Sequence, residues 1–281
     1  MKRQTRSGIV TIVVFGSSVL GAVDISAQTR VNSCIACHTS LPQTHLSEPP
    51  MKVAGDVHDK ANVRCSDCHG GDPAAAVKAA AHDPAHGYKG KLGATICASC
   101  HELFAERFAS SPHAPIFERS CVECHGNHGI ETASDAMVGT SKGTLCLTCH
   151  SEKDDPGFVG ADRMGRRLAT FNHELDAGTT LIDRVRNAGM EVGDQELKLV
   201  EARSKLTFAR TELHAFNPAS FDAVVEDGLQ IVLAANDGGN RALMELGYRR
   251  RGLYVSLGAI LLMVIALVLK IRDLDRRHHP L

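Results

Sequence analysis

The chain has 281 residues, room for one or two domains and some additional segments. Lys and Arg total 31 against 32 Asp and Glu, so the net charge of −1 offers no basic field and argues against a nucleic-acid binder. Tryptophan is absent and aromatics make up 4%, which argues against a large core built on aromatic side chains.

Residues 1–27 have the layout of a secretory signal. Lys2, Arg3 and Arg6 form a basic start, Gly8 to Val23 is an apolar run, and Ile25-Ser26-Ala27 offers small residues for cleavage before Gln28. The run is short for a spanning helix.

Residues 28–157 carry the chemistry. They hold Cys34-Ile-Ala-Cys37-His38, Cys65-Ser-Asp-Cys68-His69, Cys97-Ala-Ser-Cys100-His101, Cys121-Val-Glu-Cys124-His125 and Cys146-Leu-Thr-Cys149-His150. These five copies of Cys-x-x-Cys-His use all 10 cysteines. In c-type haem attachment the two thiols add to the haem vinyl groups and the adjacent histidine becomes the proximal iron ligand. Zinc ribbons and thioredoxin-like pairs also use Cys-x-x-Cys, but neither requires a histidine directly after the second cysteine. The spacing therefore predicts five covalent haem c groups, with His38, His69, His101, His125 and His150 as proximal ligands. Motif starts at 34, 65, 97, 121 and 146 make an imperfect repeat, too uneven for a solenoid. Between them Pro49-Pro50, Gly70-Gly71-Asp72-Pro73, Pro84, Pro112 and Pro115 mark loops, with a short helix expected within 74–81.

A polar linker over 151–162 leads into a helical region, 158–248. Leu168, Phe171, Leu175, Ile182 and Val185 form one apolar stripe, and Gly189 and Gly193-Asp194 break it. Leu199, Ala202, Leu206, Ala209, Leu213 and Phe216 form a second. Asn217 is placed to cap a third helix with Pro218 at its first position. Val224, Val225, Ile231 and Val232 continue that helix toward an expected break or kink at Asp237-Gly238-Gly239. Gly252 to Leu269 is an uncharged run of about 27 Å as a helix, so 249–271 is expected to span a membrane. Arg249-Arg250-Arg251 precede it and Lys270, Arg272, Arg276 and Arg277 follow, a balance that hardly orients the span. The export signal orients it instead: the haem segment outside the cytoplasm, the tail 272–281 within. The fold class expected is mainly α with much irregular chain, a haem-packed multihaem segment followed by a helical hairpin or bundle and a C-terminal transmembrane helix.

A second histidine on each iron makes an electron carrier, whereas an open face makes a reaction site. The exported region has eight histidines outside the motifs, of which His58, His82, His86, His113, His128, His173 and His214 are the distal candidates and His45 the weakest. His128 follows the fourth motif too closely to round its own haem, so it should serve a neighbour. His82 and His86 lie four apart, and one of them is a candidate for the first or third haem. His173 and His214 lie 20 residues before and 21 after Gly193. In an antiparallel hairpin they would meet at the end facing the haem region, and one or both are expected to ligate there.

The motifs resemble those of multihaem c-type cytochromes over roughly residues 30–150. The stretch Ser111-Pro112-His113 through Cys121-Val-Glu-Cys124-His125-Gly126-Asn127-His128 is similar to a recurring element of that group, and Leu213-His214-Ala215-Phe216-Asn217-Pro218 is similar to a distal-histidine segment near their C-terminal helices. The resemblance implies haem attachment outside the bacterial cytoplasm, mostly bis-histidine ligation and electron transfer between haems in contact. Membrane-anchored quinol-oxidising cytochromes share the exported-haem, single-anchor plan. Their anchor is N-terminal and the one here is C-terminal, a departure that weakens the case for direct quinol oxidation.

The reading is therefore an electron-transfer protein of the inner (cytoplasmic) membrane, its haem domain in the periplasm. It would link a membrane donor, quinol or a cytochrome b partner, to a periplasmic acceptor, with lipid and redox proteins as partners and no nucleic acid. The alternatives are a multihaem reductase of the nitrite or hydroxylamine type, which needs an open haem face, and a haem-bearing subunit of a larger respiratory complex.

Overall fold

The computed structural model describes residues 32–278, so the expected signal segment and the last three residues of the expected tail lie outside the described residues. Among the described residues the regular structure is helical, with no strand, as expected. Seven short helices, α1 Ser33–His38, α2 Thr44–Val53, α3 Val57–Lys60, α4 Cys65–His69, α5 Lys78–Ala81, α6 Glu102–Ala109 and α7 Val122–His125, are scattered through a looped segment. Three long helices follow: α8 Pro156–Asn187, α9 Gly193–Glu212 and α10 Pro218–His278.

The long helices begin and end where local chemistry dictates. Asp155 accepts a hydrogen bond from Gly157 N at 3.1 Å with Pro156 at the first helical position. That start signal places α8 inside the stretch expected to be linker. Its C-terminus closes on Gly189, whose φ of 83° suits a residue without Cβ. Asn217 caps α10 as the sequence predicts, its side chain accepting from Ala219 N at 3.0 Å.

α8, α9 and α10 pack as an up-and-down three-helix bundle. Both apolar stripes face inward: Leu168, Phe171, Leu175, Ile182 and Val185 from α8, and Leu199, Ala202, Leu206 and Ala209 from α9, are buried against Phe221, Val225 and Val232 of α10. Every buried aliphatic or aromatic side chain among the described residues belongs to 161–235, except Pro50. The looped segment thus has almost no apolar core of its own.

The expected break at Asp237-Gly238-Gly239 does not occur, and α10 runs through it as one helix. The two glycines serve packing instead. A Cβ on Gly239 would sit 2.6 Å from Ile182 Cδ1, and one on Gly238 2.5 Å from Gln195 Nε2, so both let α8 and α9 approach the α10 backbone closely. The cost of glycine within a helix, about 1 kcal/mol each, is set against burial of the facing side chains.

Beyond the bundle α10 continues alone. From Leu253 to Leu269 its large apolar side chains are exposed, with Val255 at 74% and Leu262 at 69%. This helix is long and apolar enough to cross a membrane. At 1.5 Å per residue, Pro218 and Gly252 lie about 50 Å apart along the helix axis. The looped segment attaches at the Pro218 end. Arg107 pairs with Glu212 at 3.0 Å, and Asp135 receives Arg210 at 2.8 and 2.9 Å and Asn172 at 2.7 Å.

Candidate haem-binding site

Each Cys-x-x-Cys-His motif is coiled into about one helical turn, which brings residues i, i+3 and i+4 to one side. The first, second and fourth lie in or at α1, α4 and α7, and the third and fifth in tighter 3-10 turns at Ala94–Ser99 and Cys146–Thr148. The turn is closed by the histidine N–H donating to the first cysteine's carbonyl, at 2.8 Å for His101, 3.0 Å for His125 and 3.0 Å for His150. Two thiols and an imidazole on one side of a short turn are what a porphyrin edge and its iron require together. None of the ten cysteines is paired in a disulfide, and the second of each Cys-x-x-Cys pair is the more exposed.

The motifs adjoin one another in chain order. Partial desolvation pushes the Cys34, Cys68, Cys97 and Cys124 thiols up, and the nearby thiols of Cys65, Cys100, Cys121 and Cys146 add to the effect in turn. Motif one therefore lies beside two, two beside three, three beside four and four beside five.

Each motif histidine faces a second histidine. His38 meets His82 at 6.0 Å between ring centres, His69 meets His128 at 6.2 Å and His101 meets His58 at 6.3 Å. His125 meets His214 at 6.2 Å and His150 meets His113 at 6.0 Å. One iron between two imidazoles sets a ring-centre separation of about 6.2 Å, from two metal–nitrogen bonds of about 2 Å and about 1.1 Å from each nitrogen to its ring centre. All five pairs fall within 0.2 Å of that value. Direct ring packing has no reason to repeat it, because the interplanar angles run from 2° to 67°. The residues present therefore fit iron held between paired histidines.

Hydrogen bonds orient several of these rings. The Nδ1 atoms of His38, His69, His82 and His214 lie 3.2, 3.3, 3.0 and 3.1 Å from the carbonyls of Leu46, Lys89, Lys78 and Arg210. A proton on Nδ1 leaves Nε2 free for metal. Burial, the largest cause in each case, pulls His113, His125, His128 and His214 down, favouring the neutral form that a metal needs. Aromatic rings wedge the distal candidates. Phe104 lies 5.0 Å from His214, Tyr88 4.5 Å from His82 and Phe216 4.2 Å from His113, with Phe117 stacked on His113 at 5.4 Å. Phe216 adopts a φ of 48°, unusual for a bulky residue, to reach that ring.

The same folding clamps two distal candidates together. Asp56 caps α3, which carries His58, by accepting from Asp59 N at 2.9 Å. It also accepts from Ile130 N at 3.3 Å, while Val57 N donates to the Ile130 carbonyl at 3.1 Å. His58 and His128 are thus braced by one loop-to-loop junction 74 residues apart in sequence.

Two expected candidates are not brought to any motif histidine. His86 lies beside Asp83 at 4.0 Å, so of the pair His82 and His86 it is His82 that meets a motif, the first. His173 is exposed on α8. The equal count of residues from Gly193 misled because the hairpin pivots elsewhere. Arg203 bonds Thr179 and Arg210 reaches Asn172, so residue 191 is the pivot and His173 stands about five residues, or about 7 Å, short of His214 along the bundle. Sequence reasoning also missed Asp155, Phe104 and Tyr88; an acid or aromatic in a loop carries no periodic signal.

Comparison with known proteins bears on the motifs themselves. The family described as a doubled CXXCH motif matches residues 113–155, the fourth and fifth motifs with His113. The multiheme cytochrome MtrA of Shewanella baltica (strain OS185) is 26% identical over 156 residues, which is 55% of this chain. The match spans 40% of that relative's length. No solved structure matches the chain. Together these findings support a multihaem c-type cytochrome that binds haem covalently through its Cys-x-x-Cys-His motifs.

Proposed function

We propose that the chain binds five haems, one per motif, each held between the paired histidines, and that it passes electrons among them. His82, His128, His58, His214 and His113 are the distal ligands of the first to fifth haems in turn. The observation that carries this reading is the recurrence of one ring-centre separation, 6.0 to 6.3 Å, in five pairs drawn from different parts of the chain. With both faces of every iron taken, no haem keeps an open position for nitrite or hydroxylamine, so the reading is a carrier and not a reductase. The adjoining motifs support a continuous row of haems in chain order.

The C-terminal helix anchors this row to a membrane, with residues 28–251 on the periplasmic side of the inner membrane. The haem segment sits at the end of the bundle remote from the span, about 50 Å along α10. That distance favours a redox protein, docking away from the lipid surface, as the immediate partner over quinol within the bilayer. A cytochrome b or another complex subunit remains the route to membrane electrons.

The test is purification of the membrane form from cells with a working haem-maturation system. Intact mass and a pyridine haemochrome assay should both return five haems per chain, and the oxidised protein should be wholly low-spin. Fewer haems, or a substantial high-spin fraction that shifts on adding nitrite or hydroxylamine, would overturn the carrier reading. Rapid reduction of the haems by quinol in proteoliposomes lacking other proteins would overturn the partner assignment.

A further inference from the structure

His150 differs from the other paired histidines in the group that its Nδ1 faces. The four described above face backbone carbonyls, whereas His150 Nδ1 forms a short hydrogen bond with the carboxylate of Asp155. The geometry is built in. Asp155 is fixed by its second duty, capping α8 through Gly157 N at 3.1 Å. Gly157 lies against the His150 ring so closely that a Cβ there would collide with it. Across the pair, His113 Nδ1 is buried without a hydrogen-bond partner, its ring held by Phe117 and Phe216. The donor strength of this pair is therefore set on the His150 side.

A carboxylate accepting the Nδ1 proton gives an imidazole partial imidazolate character, which makes it a stronger electron donor, and the full negative charge further favours ferric over ferrous iron. A backbone carbonyl does the same far more weakly. We infer that Asp155 is a positioning residue that strengthens His150 as a ligand and makes the haem of the fifth motif the most reducing of the set. The inference rests on the five-haem reading above. It gives the row of haems a sense: an electron on the fifth haem, beside the bundle, is held least stably and lies uphill of its neighbour, the fourth.

Spectropotentiometric titration of the full-length detergent-solubilised holoprotein tests this, comparing wild type with Asp155→Asn and Asp155→Glu. Asparagine keeps an oxygen to cap α8 and removes the charge. In Asp155→Asn about one fifth of the α-band amplitude should leave the lowest-potential step and titrate at more positive potential, with the remainder unchanged and the spectrum low-spin. Asp155→Glu should keep that fraction nearer the wild-type position. Superimposable titrations of wild type and Asp155→Asn would overturn the inference. So would conversion of that fraction to high-spin haem, because Asp155 would then merely hold the ligand in place. A wild-type fifth-motif peptide found without haem would sink the five-haem reading itself, and this inference with it.

Discussion

Replacing His214 by alanine discriminates most sharply among the histidines outside the motifs. His214 faces His125 at 6.2 Å with the rings 24° from parallel, one of five such pairs. Its other ring neighbour, Phe104 at 5.0 Å, has no atom that could replace it on iron. His173 cannot substitute, being on the solvent face of α8 and about 7 Å away along the bundle. Loss of His214 should therefore convert about one fifth of the haem from low-spin to high-spin, with the other four fifths untouched. Oxidised-state EPR and the near-infrared ligand-to-metal bands measure that fraction directly. Added imidazole should restore the low-spin signal by entering the vacated position. His173→Ala should leave the spectrum unchanged. A fully low-spin His214→Ala protein, or high-spin haem in His173→Ala, would refute the pairing.

Other consequences are independent of that pair. Phe171 is fully buried at the bundle centre, and Phe171→Ala should cost about 3–5 kcal/mol, seen as a lowered helical melting temperature by circular dichroism while the haem spectrum at low temperature stays the same. The Arg210 guanidinium, with help from Asn172 and against partial burial, holds Asp135 below the usual carboxylate range. Its contribution is thus complete above the unfolded-state value and is lost as pH falls through the lower folded one. Asp135→Asn should accordingly abolish one component of acid-induced release of the haem segment from the bundle, followed as limited proteolysis across pH. Produced without haem maturation, residues 32–155 should be degraded by mild protease while the bundle resists, because the looped segment has almost no buried apolar side chain of its own. Equal protease resistance of both parts would show that the segment folds without its cofactor.

What could be read from the sequence divides along the range of the forces involved. The five motifs were plain because thioether attachment fixes cysteine and histidine within one turn of chain, and His38, His69, His101, His125 and His150 needed no tertiary information. The bundle was plain for a related reason. Leu168, Phe171 and Leu175 of α8 and Leu199, Ala202 and Leu206 of α9 repeat at helical spacing because burial acts on every turn, and all six are buried. The distal partners were not legible, because nothing local ties His58 to His101 or His125 to His214; those pairs exist only after the chain has wrapped. Two expectations met a different geometry for one cause: of His173 and His214 only His214 meets a motif histidine, and α10 runs unbroken through Gly238-Gly239. Both took a local count or a local propensity to decide a question settled by the packing of one helix on another. Asp155 shows the reverse case. Its role at the start of α8 could be read from Asp155-Pro156 alone, yet its contact with His150 could not, and that contact ties the fifth motif to the first helix of the bundle. A substitution there should accordingly be felt first in a potential and only secondarily in the fold.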